Sequence, residues 1–99
     1  MDDGIIVEVG MIHKLKELGV TNAAVIMLYG KILTMSEDTG YCTAINTYFA
    51  NLLAKTPRGI QKYILELKTR GIIRIETEKT YDEDGHAIET RMIYPQISM

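Results

Sequence analysis

Cysteine is nearly absent from this 99-residue chain, in which Cys42, between Tyr41 and Thr43, stands alone. A single thiol excludes an intrachain disulfide and leaves a thiolate zinc site short of ligands, so a reducing, cytoplasmic setting is expected. Proline is as scarce, with only Pro57 and Pro95, and the punctuation of the chain falls to glycine. No apolar run is long enough to span a membrane, the stretch from Ala23 to Tyr29 being among the longest. Nor does a basic start lead into an apolar run, so neither membrane insertion nor secretion is expected. Repeats and low-complexity tracts are missing, and so is any excess of positive charge, the net value being -2.

What is present is the composition of an ordinary globular domain, 46% hydrophobic and 24% charged. A chain of this length builds one modest core, with no room for a second domain or a large enclosed active site. Its charge is segregated. Residues 55 to 74 hold Lys55, Arg58, Lys62, Lys68, Arg70 and Arg74 against Glu66 alone, a local balance of +5, and the remainder carries -7. Phosphate binding requires a positive face rather than a positive protein, so this clustering keeps nucleic acid among the candidate partners. Lys68 and Arg70, late in a helical pattern, also suit the negative end of a helix dipole.

Apolar spacing divides the chain into elements. Residues 5 to 9 (IIVEV) read as a short strand, and Met11, Ile12, Leu15 and Leu18 predict a short helix that Gly19 stops. Thr21 or Asn22 caps a longer helix carrying Ala24, Val25, Leu28, Tyr29, Ile32 and Met35, ending near residues 36 to 38. Asp38-Thr39-Gly40 is a turn, followed by a second apolar face of Ile45, Tyr48, Phe49, Leu52 and Leu53. Thr56 as N-cap and Pro57 as first helical residue open a third helix with a stripe of Ile60, Ile64 and Leu67, which Gly71 closes. Ile72, Ile73 and Ile75 begin a strand that runs to Thr80. Asp82-Glu83-Asp84-Gly85 turns the chain, and Ala87 to Tyr94 returns with Ile88, Met92 and Ile93.

Two helices separated by two to four residues have the spacing of a helix-turn-helix, and a hairpin directly after the second of them is a wing. The expected fold is therefore α+β and mostly α. It is a winged helix-turn-helix of three main helices followed by a two-stranded β-hairpin wing, occupying residues 21 to 95. Residues 1 to 20 form an N-terminal extension and 96 to 99 a tail. Three segments, NAAVIMLYGKIL, GYCTAINTYFANLLAKTPRGIQKYILELKTRGIIRIE and RMIYP, resemble the N-terminal winged helix-turn-helix of phage replisome-organiser and plasmid replication-initiator proteins. The likeness spans roughly residues 20 to 95. It implies binding of double-stranded origin DNA in replication initiation, with the helix from Thr56 as reader, the hairpin as wing and replication proteins as further partners. A transcriptional regulator of this fold would share the same DNA chemistry. The chain departs from the family pattern at Pro57 and Gly59, at Ile45 where serine is common, and in its acidic wing tip, which phosphates would repel.

With the stripe of Ile60, Ile64 and Leu67 buried, Arg58, Gln61 and Lys62 must face outward near the start of their helix. There arginine can pair bidentately with guanine and glutamine with adenine, and lysine can take a base or a phosphate. Thr56 joins them at the groove. Asn46 and Thr47, at the start of the preceding helix, suit capping and phosphate binding. Lys55 and Lys79 suit backbone contacts that fix register. Tyr29, Tyr48 and Phe49 belong to apolar faces. Tyr63 and Leu65 lie off the stripe, which leaves a protein-binding module as an alternative. The run Ile5, Ile6 and Val7 either packs on the wing or supports a homodimer. No catalytic role is expected, because His13 and His86 lie far apart without a nucleophile beside them. No metal or other cofactor is expected either: the sequence around Gly85 lacks calcium ligands, with Thr80 and Arg91 where the first and last would stand. Gly30 reads as a close-packing site.

Overall fold

Cap chemistry at both ends of the helices sets much of the architecture, which a computed structural model describes for residues 7–97. Helices α1 (Val9–Glu17), α2 (Ala23–Met35), α3 (Asn46–Leu53) and α4 (Pro57–Thr69) precede strands β1 (Ile73–Tyr81) and β2 (Ala87–Pro95). The architecture is thus α+β, four helices and one antiparallel hairpin. Asn22 accepts a hydrogen bond from the Ala24 amide at 2.8 Å and starts α2. Thr56 Oγ1 accepts from the Gly59 amide at 3.0 Å and starts α4, with Pro57 where its missing N–H costs nothing. Gly19 and Gly71, both with positive φ, end α1 and α4 in the same way. In each case the next residue but one past the helix cap, Val20 or Ile72, donates back to Leu15 or Leu67 at 2.9 Å. Both Val20 and Ile72 are fully buried, so each cap turns the chain directly into the core.

The core is one cluster. Met11 and Leu15 of α1 meet Leu28, Tyr29 and Ile32 of α2, Phe49 of α3, Ile60, Ile64 and Leu67 of α4, and Ile73 and Ile93 of the hairpin. Met11, Leu15 and Val20, in the segment read as an N-terminal extension, thus share the core with the rest. Strands β1 and β2 pair from Ile73 opposite Pro95 to Tyr81 opposite Ala87. On the other edge of β2, Cys42 exchanges two backbone hydrogen bonds with Ile93, at 2.9 and 2.8 Å. The segment after β2 is held as well: the Tyr29 hydroxyl donates to the Ile97 carbonyl at 2.8 Å and accepts from its amide at 3.2 Å. No helix among the described residues is long and apolar enough to cross a membrane.

Several expectations are corrected. Val7 and Glu8 carry no regular structure and Val9 opens α1, so the expected strand over 5 to 9 is not present in its described part, and residues 5 and 6 lie outside the described residues. Val7 sits beside Ile12, Ala23 and Ile26 of α1 and α2, not on the hairpin. Ile45 is 66% exposed, because it is the N-cap of α3 with extended backbone rather than part of the helical face. Leu18, Met35 and Ile88 are exposed for a like reason, the first two at the last turns of their helices and the third toward the distal end of the hairpin.

Candidate nucleic-acid interface

Helix α4 has a sharp division of faces. Ile60, Ile64 and Leu67 are buried, and Arg58, Gln61 and Lys62 on the opposite side are exposed. Their positions follow from the 3.6-residue repeat once the stripe is fixed in the core. Thr56 spends its hydroxyl on the cap. Lys55 lies in the three-residue link between α3 and α4, exposed. The link turns sharply because Ala54 adopts a left-handed conformation, φ 54°, which lets the Lys55 amide reach back to the Ala50 carbonyl at 2.9 Å.

The basic cluster of residues 55 to 74 divides into two groups. Arg70 is a structural clamp: its Nε pairs with Glu66 at 3.3 Å and its Nη1 donates to the Leu18 carbonyl at 3.1 Å, joining α4 to the end of α1. Arg74 pairs with Glu76 and lies over the Tyr94 ring, 4.2 Å from its centroid. Lys55, Arg58, Lys62 and Lys68 form no ion pair among the described residues. Within this cluster these four are the cations available to an external anion, and they lie on α4 or at its entrance. Lys79 is exposed on β1, opposite Glu89 in the register but not ion-paired with it.

Asn46 does not cap α3, contrary to expectation. It is the first residue inside the helix, and its Oδ1 accepts from Arg91 Nη1 at 2.7 Å. Arg91 Nη2 donates to the Ala44 carbonyl at 2.8 Å, so this guanidinium binds β2 to the start of α3. Burial lowers its pKa. No side chain of the described residues caps α3, and Thr47 is exposed in its first turn, while the Tyr48 and Phe49 amides bond the Ile45 carbonyl. The sequence did hold a signal for Arg91: it stands two residues from Ile93 on the same side of a strand, and Ile93 is fully buried. Asn46, Thr47 and Arg91 thus share one corner of the molecule, while Thr56, Arg58, Gln61 and Lys62 share the first two turns of α4.

The wing tip is negative. Asp82 Oδ1 accepts from the amides of Asp84 and His86, at 2.9 and 2.8 Å, and its Oδ2 lies 3.3 Å from His86 Nδ1. Asp82, Asp84 and His86 could hold a metal by distance, their ligand atoms lying within 4.8 Å of one another. All three are exposed, and both Asp82 oxygens already serve the turn. Cys42 is buried, and burial pushes its thiol pKa up, against the Ala44 backbone and the charges of Arg91 and Lys31. No protein-family model and no curated protein matches the chain.

Proposed function

We propose that the chain is a winged helix-turn-helix domain that binds double-stranded DNA, with α4 in the major groove. The observation that carries this reading is the exposed face of α4, where Arg58 and Lys62, without an ion pair among the described residues, and Gln61 stand opposite a buried stripe. Arginine and glutamine are suited to base edges, and Lys62, Lys55 and Lys68 to phosphates. Three further features agree with the fold. A three-residue link joins α3 to α4, a hairpin follows α4 at once, and the Cys42 bridge gives β2 a second neighbour on the edge away from β1. The uncapped start of α3, at Asn46 and Thr47, is suited to a backbone phosphate. Lys79 would meet phosphates from the wing.

A role in replication initiation rests on the resemblance of residues 20 to 95 to phage and plasmid initiators. A transcriptional regulator would use the same contacts. The test is selection from a random duplex library at two salt concentrations. Enrichment of one sequence, weakened steeply by salt, supports groove reading. Absence of binding at low salt overturns the DNA reading and favours a protein-binding module.

A further inference from the structure

One residue on the α4 face has no polar function. Leu65 is 60% exposed, while Ile60, Ile64 and Leu67 of the same helix are buried. The helical repeat sets it one turn beyond Gln61 and Lys62 and two turns beyond Arg58, with Thr69 following on the same side. A lone leucine therefore stands in the middle of a polar and basic face. Beside it lies a shallow depression lined by Lys62, Glu66, Thr69 and Arg70.

The major groove offers one apolar feature, the C5-methyl group of thymine. We propose that Leu65 is a specificity residue that packs against a thymine methyl, a proposal that rests on the DNA reading above. Seven residues separate it from Arg58, about 10 Å along the helix axis at about 1.5 Å per residue. With α4 inclined in the groove, where about two helical turns span two base-pair steps, the thymine lies about two base pairs from the base that Arg58 reads. Charge complementarity selects this occupant. A second copy meeting the same face would bring Arg58, Lys62 and Lys68 against their own counterparts, whereas DNA presents phosphates on both sides of a groove.

The test uses the duplex selected from the random library, with each thymine replaced in turn by deoxyuridine so that only a methyl group is removed. One replacement is expected to weaken binding roughly fourfold, the effect of burying a single methyl group. Leu65→Ala should bind the thymine duplex more weakly and be indifferent to that same replacement. Arg58→Ala should retain the methyl dependence. Leu65→Met, which keeps an apolar tip, should restore most of it. Circular dichroism checks the fold of each variant. A methyl dependence found nowhere, or undiminished in Leu65→Ala, overturns the proposal and leaves DNA binding standing. A selected site without thymine at the corresponding position, or a dimer that Leu65→Ala dissociates, overturns it as well. Failure to select any duplex removes the DNA reading together with this one.

Discussion

Arg58 and Ala54 show how differently two neighbouring residues of the α3–α4 region act. Arg58 is exposed and forms no ion pair among the described residues, so its replacement by alanine leaves the core untouched. Arg58→Ala is expected to leave the melting temperature unchanged and to weaken binding to a selected site by about 1 to 3 kcal/mol, with relaxed preference at one base pair. A titration against the selected duplex and its single-base variants measures both. Ala54 is a stability residue. Its φ of 54° is left-handed, a region that costs an L-residue about 1 kcal/mol and glycine almost nothing. Ala54→Gly relieves that strain while adding freedom to the unfolded chain, and should therefore stabilise the fold by a few tenths of a kcal/mol in urea denaturation. A loss of stability would mean that the Ala54 methyl contributes more by packing than its backbone costs.

Among the elements, the helix limits were legible in the sequence because their chemistry is local. Asn22, Thr56 and Pro57 mark starts, and Gly19 and Gly71 mark ends, through bonds spanning only a few residues. The apolar stripe of α4 was legible for the same reason. What could not be read depends on contacts across the chain. Asn46 looks like a cap locally, yet Arg91, 45 residues later, takes its side-chain oxygen. Arg70 looks like a complement to a helix dipole, yet it holds the Leu18 carbonyl 52 residues earlier. Val9 looks like the end of a strand, yet it opens α1, since alternation over five residues does not separate a strand from a helix start. The Arg70 clamp yields a prediction for the α1–α4 junction. Gly19 has φ 91°, and a Cβ added there would collide with the Arg70 guanidinium. Gly19→Ala should cost at least about 1 kcal/mol from backbone strain alone. Its penalty should shrink in an Arg70→Ala background, where only the strain remains. Equal penalties in the two backgrounds, measured by urea denaturation as a double-mutant cycle, would exclude the clash as a contributor.

At the scale of the whole molecule, charge and burial act in separate places. A net charge of -2 coexists with a basic α4 because the acidic residues lie elsewhere, several at the wing tip. If Lys55 and Lys62 meet phosphates as proposed, removing either one should lower the slope of log affinity against log salt by about one, and by the same amount on every duplex. The pH dependence of stability belongs to the core. Burial raises the pKa of Cys42 above the ordinary thiol value of 9.0, opposed by the Ala44 backbone and the charges of Arg91 and Lys31. Burial likewise raises Tyr29 above 10.0, opposed by its hydrogen bond to Ile97. Both groups are neutral when protonated, and folding favours that form. Their contribution is complete below the unfolded values and is lost as pH rises through the folded ones, so it begins to fall above pH 9.0 for Cys42 and above 10.0 for Tyr29. Wild-type protein should accordingly lose stability from about pH 9 upward. Cys42→Ala, less stable at neutral pH for lack of the sulfur's packing, should delay that loss until Tyr29 begins to titrate. Parallel stability curves for the two proteins between pH 8 and pH 10, measured by urea denaturation, would exclude Cys42 as the titrating group in that range.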